Sequence, residues 1–134
     1  MLSRLIPFYL LLIVVSDVYG EKLNYQTPED VTLLVGREIW VDSCSSCHGY
    51  GVADAPIPMI PDDWRQRVKK SRVELYRHAI EGFIGPDYSV MPPRGGNEEL
   101  NDDEVKAAVD YMLFLANFYI EEDKLFIEIK KGEI

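Results

Sequence analysis

Residues 36–49 read GREIWVDSCSSCHG and contain the most informative pattern of the chain. Its second half, Cys44-Ser45-Ser46-Cys47-His48, holds the only two cysteines of the 134-residue chain. Because the cysteines are so close together, they cannot form a disulfide framework that joins distant segments. On a helix the two thiols lie one turn apart on the same side, with an imidazole at the next position. A chain of this length is only marginally stable by itself, so a large apolar cofactor bound here would supply much of its stability.

Two thiols followed by an imidazole match the requirements of covalent haem attachment. Each thiol can add to one vinyl group of a shared porphyrin edge, and His48 can bind the iron from one face. Three alternative chemistries fit the motif less well. A thioredoxin-like dithiol should follow a strand in a βαβ unit, a zinc site needs further ligands, and a local disulfide leaves His48 unexplained. We therefore predict one haem c, attached through Cys44 and Cys47.

Six-coordinate haem iron needs a second axial ligand, and the candidate side chains are Met59, Met91, Met112 and His78. Met91 is favoured because the two prolines after it fix a loop between two predicted helices. Met59 follows His48 too closely and is expected on the histidine side. Met112 falls on the apolar face of a helix, where methionine usually fills the core. His78 falls on the predicted solvent face of its helix.

Helical signals surround the motif and predict an all-α fold. Upstream, Thr27 reads as an N-cap and Pro28 as the first helical position. Apolar residues then recur at helical spacing up to the cysteine segment. They are Val31, Leu34, Val35 and Ile39. We therefore predict an amphipathic first helix that leads into the motif.

Downstream of the motif, prolines and caps divide the chain. Residues 51–61 and 85–96 are predicted loops, and 62–68 a short helix. A second helix should begin at Ser71 and end at Gly82. The last helix is expected to start at Asn101 or Asp102 and to end near Tyr119. Beyond it, the alternating residues 125–129 predict a small strand or a docking tail.

The first twenty residues resemble an export signal, with Arg4, an apolar stretch over 5–15 and Gly20 at the expected cleavage point. The apolar stretch is shorter than the roughly 18 residues of a membrane span, which favours a removed signal over a retained anchor. Residues 21–134 then form one domain, with 120–134 as a C-terminal extension. The net charge of -9 disfavours nucleic acid and bare membrane as partners, and favours basic protein surfaces.

With these residues in view, the chain resembles the class I c-type cytochromes, and most of all the cytochrome c5 group of bacterial electron carriers. The resemblance runs from about Gly36 to Met112 in several ordered blocks, which is more specific than the cysteine motif alone. The blocks are 36–40, 44–49, 51–56, 64–67, 75–82, 91–96 and 103–112. It implies a small all-α fold in which the N- and C-terminal helices cross around one covalently bound haem. The chain departs from the group in one respect, because it has no second cysteine pair after the glycines at 95 and 96.

The resemblance also implies roles for single residues. Met91 is expected to be the second iron ligand, and Gly36 to let the terminal helices approach where Tyr111 crosses. The carbonyl of Pro56 is expected to accept a hydrogen bond from the outer nitrogen of His48. Trp64 and Arg67 are expected to meet the haem propionates, although simple core packing would also explain Trp64.

The function implied is a one-electron carrier in a periplasmic respiratory chain, with no catalytic residues. Its partners would be respiratory redox proteins that dock transiently, and two copies could also pair weakly. Two alternatives remain open. In one, the chain is a haem enzyme or a small-molecule sensor with a displaceable methionine. In the other, it is a cytochrome subunit of a larger oxidase, with the C-terminal tail as its contact.

Overall fold

The computed structural model describes residues 25–132 and confirms the mainly helical class. The predicted export signal lies outside the described residues. There are five α-helices in the described part of the chain. They are α1 (Val31–Ser43), α2 (Ser45–His48), α3 (Pro61–Trp64), α4 (Arg72–Glu81) and α5 (Asp102–Lys131). Short 3-10 turns cover Val52–Asp54, Arg67–Lys69 and Pro93–Gly96.

Helix α1 starts later than predicted. The cap is Asp30, whose carboxylate accepts a hydrogen bond of 2.8 Å from the backbone N–H of Thr32, so the assignment of Thr27 as cap was wrong. The predicted apolar face was also partly wrong, because Val31 and Val35 are mostly exposed. The residues that α1 buries are Gly36 and Trp40.

Gly36 and Trp40 are buried because α1 crosses α5 at these residues. A Cβ at Gly36 would lie 2.1 Å from the carbonyl oxygen of Ala107, so the two backbones touch at this point. One turn further along, the ring of Trp40 packs at 5.7 Å from that of Tyr111. The predicted crossing is therefore present, although Gly36 meets the backbone one turn before Tyr111 and not the aromatic ring.

In the middle of the chain, the helix α4 begins and ends at the predicted residues. Ser71 caps α4 by accepting from the N–H of Glu74, and α4 ends at Gly82 with a φ of 86°. The predicted short helix over 62–68 is divided into α3 and the 3-10 turn after it. The predicted loop over 85–96 contains a strand, β2 (Val90–Met91), which pairs antiparallel with β1 (Phe83–Ile84).

Helix α5 is longer than predicted. Asn101 is its N-cap, with Glu104 completing a capping box, as one of the two predicted starts required. The helix ends at Lys131 and not near Tyr119, and Gly132 terminates it with a φ of 71°. The strand predicted over residues 125–129 is therefore wrong. Over the described residues, no helix combines the length and the apolar character needed to cross a membrane.

Candidate functional site

The cysteine motif lies at the junction of α1 and α2. Cys44 follows the last residue of α1, and its carbonyl accepts hydrogen bonds from Cys47 N at 3.2 Å and His48 N at 3.0 Å. The two cysteines thus bracket one helical turn, as the spacing predicted. Cys44 is partly buried and Cys47 is exposed. Burial raises the pKa of the Cys44 thiol to about 11, whereas a thioredoxin-like dithiol needs a readily formed thiolate.

His48 is buried and points one ring nitrogen at the protein. Its Nδ1 donates a hydrogen bond of 2.9 Å to the carbonyl oxygen of Pro56. Because a carbonyl can only accept, the proton is on Nδ1 and a lone pair is on Nε2. Burial lowers the pKa of His48, which favours the neutral imidazole, although the Pro56 bond opposes this effect. A neutral imidazole with its outer nitrogen fixed is the form that binds iron.

The structure sorts the four candidates for the second ligand. Met91 and Met112 both line a narrow apolar crevice that also contains Cys44. Neither Met59 nor His78 lines it. Met112 belongs to α5, whereas Met91 is on β2, where it pairs with Phe83 and precedes two prolines. Met91 can therefore reach the crevice from a strand and loop whose backbone is already fixed.

His78 does not lie on the solvent face, so that expectation was wrong. Its side chain is largely covered and its ring stacks on Phe83, with centroids 4.1 Å apart. Phe83 follows Gly82, whose φ of 86° ends α4, so its ring leaves the helical path and packs on His78. The sequence periodicity of α4 could not include this contact. Burial lowers the pKa of His78 as well.

Trp64 and Arg67 occupy neighbouring turns but do not contact the same group. Trp64 is buried, and its indole nitrogen has no hydrogen-bond partner among residues 25–132. Arg67 donates to the backbone carbonyl of Asp63. An unpaired buried indole N–H costs roughly 1–3 kcal/mol, so an acceptor such as a propionate bound there would be stabilising.

Two residues that matter at this site were not predicted from the sequence. Asp63 accepts a hydrogen bond of 2.9 Å from the N–H of Ile57, the residue after Pro56. Arg94 donates to the carbonyl of Leu100 at 2.8 Å and pairs with Asp102 at 2.6 Å. Arg94 thus holds the loop after Met91, where the chain has no second cysteine pair. An acid before a tryptophan and an arginine before two glycines carry no local signal for these distant partners.

Together these residues fit a covalently attached haem. The motif offers two thiols on one helical turn and an imidazole in the right tautomer, and the crevice beside Cys44 offers a thioether. The buried indole of Trp64 offers a donor that lacks an acceptor within the described chain. Soft sulfur and imidazole ligands of this kind are those that haem iron takes in proteins.

Comparisons with known proteins agree with this chemistry. The model of a family described as cytochrome c oxidase, cbb3-type, subunit III matches residues 32–112. The chain is 30% identical over 88 residues to a cytochrome c-555 of Prosthecochloris aestuarii, covering 63% of this chain and 89% of that protein. It is 29% identical over 80 residues to cytochrome c5 of Azotobacter vinelandii, covering 58% of this chain and 89% of the relative.

One solved structure is also similar. It is described as an electron transfer complex of nitrite reductase with cytochrome c. The matching chain superposes with a TM-score of 0.54 and 30% sequence identity. The match covers 61% of this chain and 94% of the other.

Proposed function

This chain belongs to the class I c-type cytochromes, and on that premise we propose that it carries electrons with a His48 and Met91 ligand pair in the periplasm. Its single haem c is held covalently through Cys44 and Cys47, and its function is one-electron transport. The haem, when bound, supplies an iron that changes between the ferric and ferrous states. The remaining chemistry belongs to the side chains around it.

Each residue of the site has one task in this proposal. Cys44 and Cys47 fix the porphyrin edge to α2, and the Pro56 carbonyl holds the imidazole of His48 in one orientation. Met91 would provide the second iron ligand from β2. A thioether opposite an imidazole favours ferrous iron more than a second imidazole does, so the reduction potential should be relatively high.

Two features of the surroundings support a carrier. Because His48 and Met91 would hold the iron in both oxidation states, an electron could pass without bond breaking. The crevice around Cys44 and Met91 is lined mostly by apolar side chains, so it offers few polar groups that could orient a substrate. We therefore expect the chain to have no catalytic activity of its own.

Partners and location extend the proposal further. We expect export, because the first twenty residues have the composition of a signal. We expect this chain to dock transiently on basic surfaces of respiratory redox proteins, because it carries a net charge of -9 itself. The similar solved structure pairs a cytochrome c with nitrite reductase, so a soluble reductase of that kind is one class of partner to try.

The observation that carries the proposal is that Met91 and Cys44 line one crevice. Its test is a pair of variants, Met91→Leu and Met112→Leu, because Met112 lines the same crevice. Met91→Leu should abolish the ferric absorption band given by a thioether ligand, allow the reduced protein to bind carbon monoxide, and lower the potential. We expect the ratio of reduced to oxidised protein at fixed potential to fall at least about tenfold, or about 59 mV for one electron.

Met112→Leu is the matched control and should leave the band, the potential and the carbon monoxide response unchanged. If Met112→Leu loses the band and Met91→Leu keeps it, the ligand assignment is wrong. If the unmodified reduced protein binds carbon monoxide readily at neutral pH, the iron site is open and the sensor or enzyme alternative replaces the carrier.

A further inference from the structure

One peptide group next to the haem site is hydrogen bonded on both of its sides. The carbonyl of Pro56 accepts from His48 Nδ1 at 2.9 Å. The N–H of Ile57, which belongs to the same peptide group, donates to Asp63 Oδ2 at 2.9 Å. His48, one backbone peptide and a carboxylate therefore form a continuous chain of two hydrogen bonds.

The elements on either side hold this chain in place. Asp63 lies in the first turn of α3, which starts at Pro61, and Arg67 donates to the backbone carbonyl of Asp63. Pro56 and Pro58 restrict the backbone around Ile57, and Pro58 is fully buried. The backbone of Asp63 is thus held within α3, and its carboxylate accepts from a segment that two prolines restrict.

A charge at one end of such a chain affects the bond at the other end. A carboxylate that accepts from an amide N–H polarises the peptide and makes its carbonyl oxygen more negative. The Pro56 oxygen then becomes a stronger acceptor for the proton on His48 Nδ1. The imidazole gains anionic character and becomes a better donor to iron through Nε2, which stabilises the ferric state.

We propose that Asp63 is a positioning residue for His48, which acts through the Pro56–Ile57 peptide and lowers the reduction potential of the haem. The inference depends on the proposed role of His48 as iron ligand. Asp63 would contact neither the haem nor the iron. Its effect passes entirely through the peptide that it holds.

The test compares Asp63→Asn with Asp62→Asn. Asparagine at 63 can still accept from Ile57 but has no charge. The side chain of Asp62 is 91% exposed and pairs with Arg65, so its replacement removes the same charge from the next position. Asp63→Asn should raise the potential, changing the ratio of reduced to oxidised protein by about two- to tenfold, where tenfold is about 59 mV. Asp62→Asn should change the ratio by much less, and Asp63→Glu, which keeps the charge, should stay close to the unmodified protein.

Salt and magnetic resonance separate the relay from a simple charge effect. A through-space effect of an exposed carboxylate is screened by salt, so the shift caused by Asp63→Asn should persist at high ionic strength. The proton resonances of Ile57 N–H and His48 Nδ1–H in the reduced protein should both move upfield in Asp63→Asn and stay in place in Asp62→Asn. In the unmodified protein the Ile57 amide should exchange slowly with solvent.

Several outcomes would overturn the relay. Equal potential shifts in Asp63→Asn and Asp62→Asn, a shift that high salt removes, or a His48 proton that does not respond would each do so. Failure of the proposed function looks different. In that case the unmodified protein would lack a haem linked to Cys44 and Cys47 by mass spectrometry, or would lack an imidazole ligand.

Discussion

At the scale of single residues, Tyr111 combines complete burial with a hydrogen bond from its hydroxyl group. It is completely buried on α5, and its hydroxyl donates a hydrogen bond of 2.7 Å to the carbonyl of Gln26. Its ring contacts Trp40, which in turn packs edge to face on Tyr25 at 4.6 Å. This cluster joins the first described residues to both terminal helices. Burial raises the pKa of Tyr111 to about 12, because the phenolate would lose its hydration there.

The raised pKa predicts a loss of stability at alkaline pH. The neutral phenol stabilises the folded protein fully below the unfolded pKa of about 10, and that contribution is lost as the pH rises toward 12. At pH 7, Tyr111→Phe should cost about 1 kcal/mol, since the Gln26 carbonyl loses its donor. Between pH 10 and 12 the free energy of unfolding should fall less in the variant than in the unmodified protein. The difference between the two decreases should be about 1–2 kcal/mol.

Denaturant unfolding followed by far-ultraviolet circular dichroism, repeated from pH 7 to 12, measures this difference. Tyr88→Phe is the control, because Tyr88 is among the most exposed aromatic residues described. It should follow the unmodified protein at every pH. Parallel curves for Tyr111→Phe and the unmodified protein above pH 10 would contradict the prediction.

At the scale of elements, the crossing of α1 and α5 positions the site. Helix α1 leads directly into the cysteine motif, and α5 contributes Met112 to the crevice beside Cys44. Both helices contact each other at backbone distance only because position 36 has no side chain. Any separation of the two helices would widen the crevice and change how Cys44 faces Met91.

Gly36→Ala should therefore destabilise the protein although alanine is the better helix former. The added methyl group would lie 2.1 Å from a backbone oxygen that cannot rotate away, so α5 must shift. Overpacking of this kind costs about 1–3 kcal/mol, against a gain of roughly 1 kcal/mol in helix propensity. Because the clash is with a backbone atom, we expect a cost in the upper part of this range, about 2–3 kcal/mol. The net loss in chemical denaturation should then be about 1–2 kcal/mol, with a weaker thioether absorption band.

Val35→Ala is a suitable control on the same helix. Val35 precedes Gly36 and is mostly exposed on α1. Its free energy of unfolding should remain within about 0.5 kcal/mol of the unmodified protein. A Gly36→Ala variant that is as stable as this control would mean that the helices do not touch at position 36.

At the scale of the whole molecule, the last three turns of α5 continue past the core. Leu125, Phe126, Ile127 and Ile129 are all substantially exposed there. Arg65, the residue after α3, pairs with Asp123 of this segment. Successive apolar residues on all sides of a helix explain why the alternating pattern looked like a strand. Residues 97–131 contain no glycine or proline, so no residue of that kind ends the helix at Tyr119.

Deleting residues 121–134 should leave the haem site intact. Within the part of the extension that the structure describes, up to residue 132, no residue lines the crevice around Cys44. The absorption spectrum and the reduction potential should therefore not change. The lost pair between Arg65 and Asp123 is partly exposed and should cost at most about 1 kcal/mol of unfolding free energy. Spectroelectrochemistry and denaturation of the truncated protein measure both quantities.

The same truncation tests the alternative in which the chain is a subunit of a larger oxidase. A complex that copurifies with the full chain and is lost from the truncated chain would support that alternative. The double variant with Leu125→Ser and Ile129→Ser is the companion to the truncation, because it removes apolar surface and keeps the helix length. A potential that changes on truncation would show that the extension contributes to the haem site.

Much of the fold and part of the site follow from local sequence signals. Ser71 and Gly82 bound α4 as predicted, and Asn101 starts α5, because caps act on backbone groups within three residues. The start of α1 was misplaced because a second capping residue, Asp30, follows Thr27 closely. The exposed Val31 and Val35 show that helical spacing fixes a stripe of residues, whereas the partner helix decides which stripe is buried.

The sequence alone determined that two cysteines and His48 share one helical turn, because that geometry depends only on spacing along a helix. It also determined that the chain is mainly helical around an attached haem. Tertiary structure decided which methionines enter the crevice, that Asp63 holds the Pro56–Ile57 peptide, and that His78 is covered by Phe83. The first two depend on the paths of proline-containing loops, and the third depends on how the backbone leaves α4 at Gly82. Helical periodicity specifies neither the path of a loop nor the direction of the chain after a helix ends.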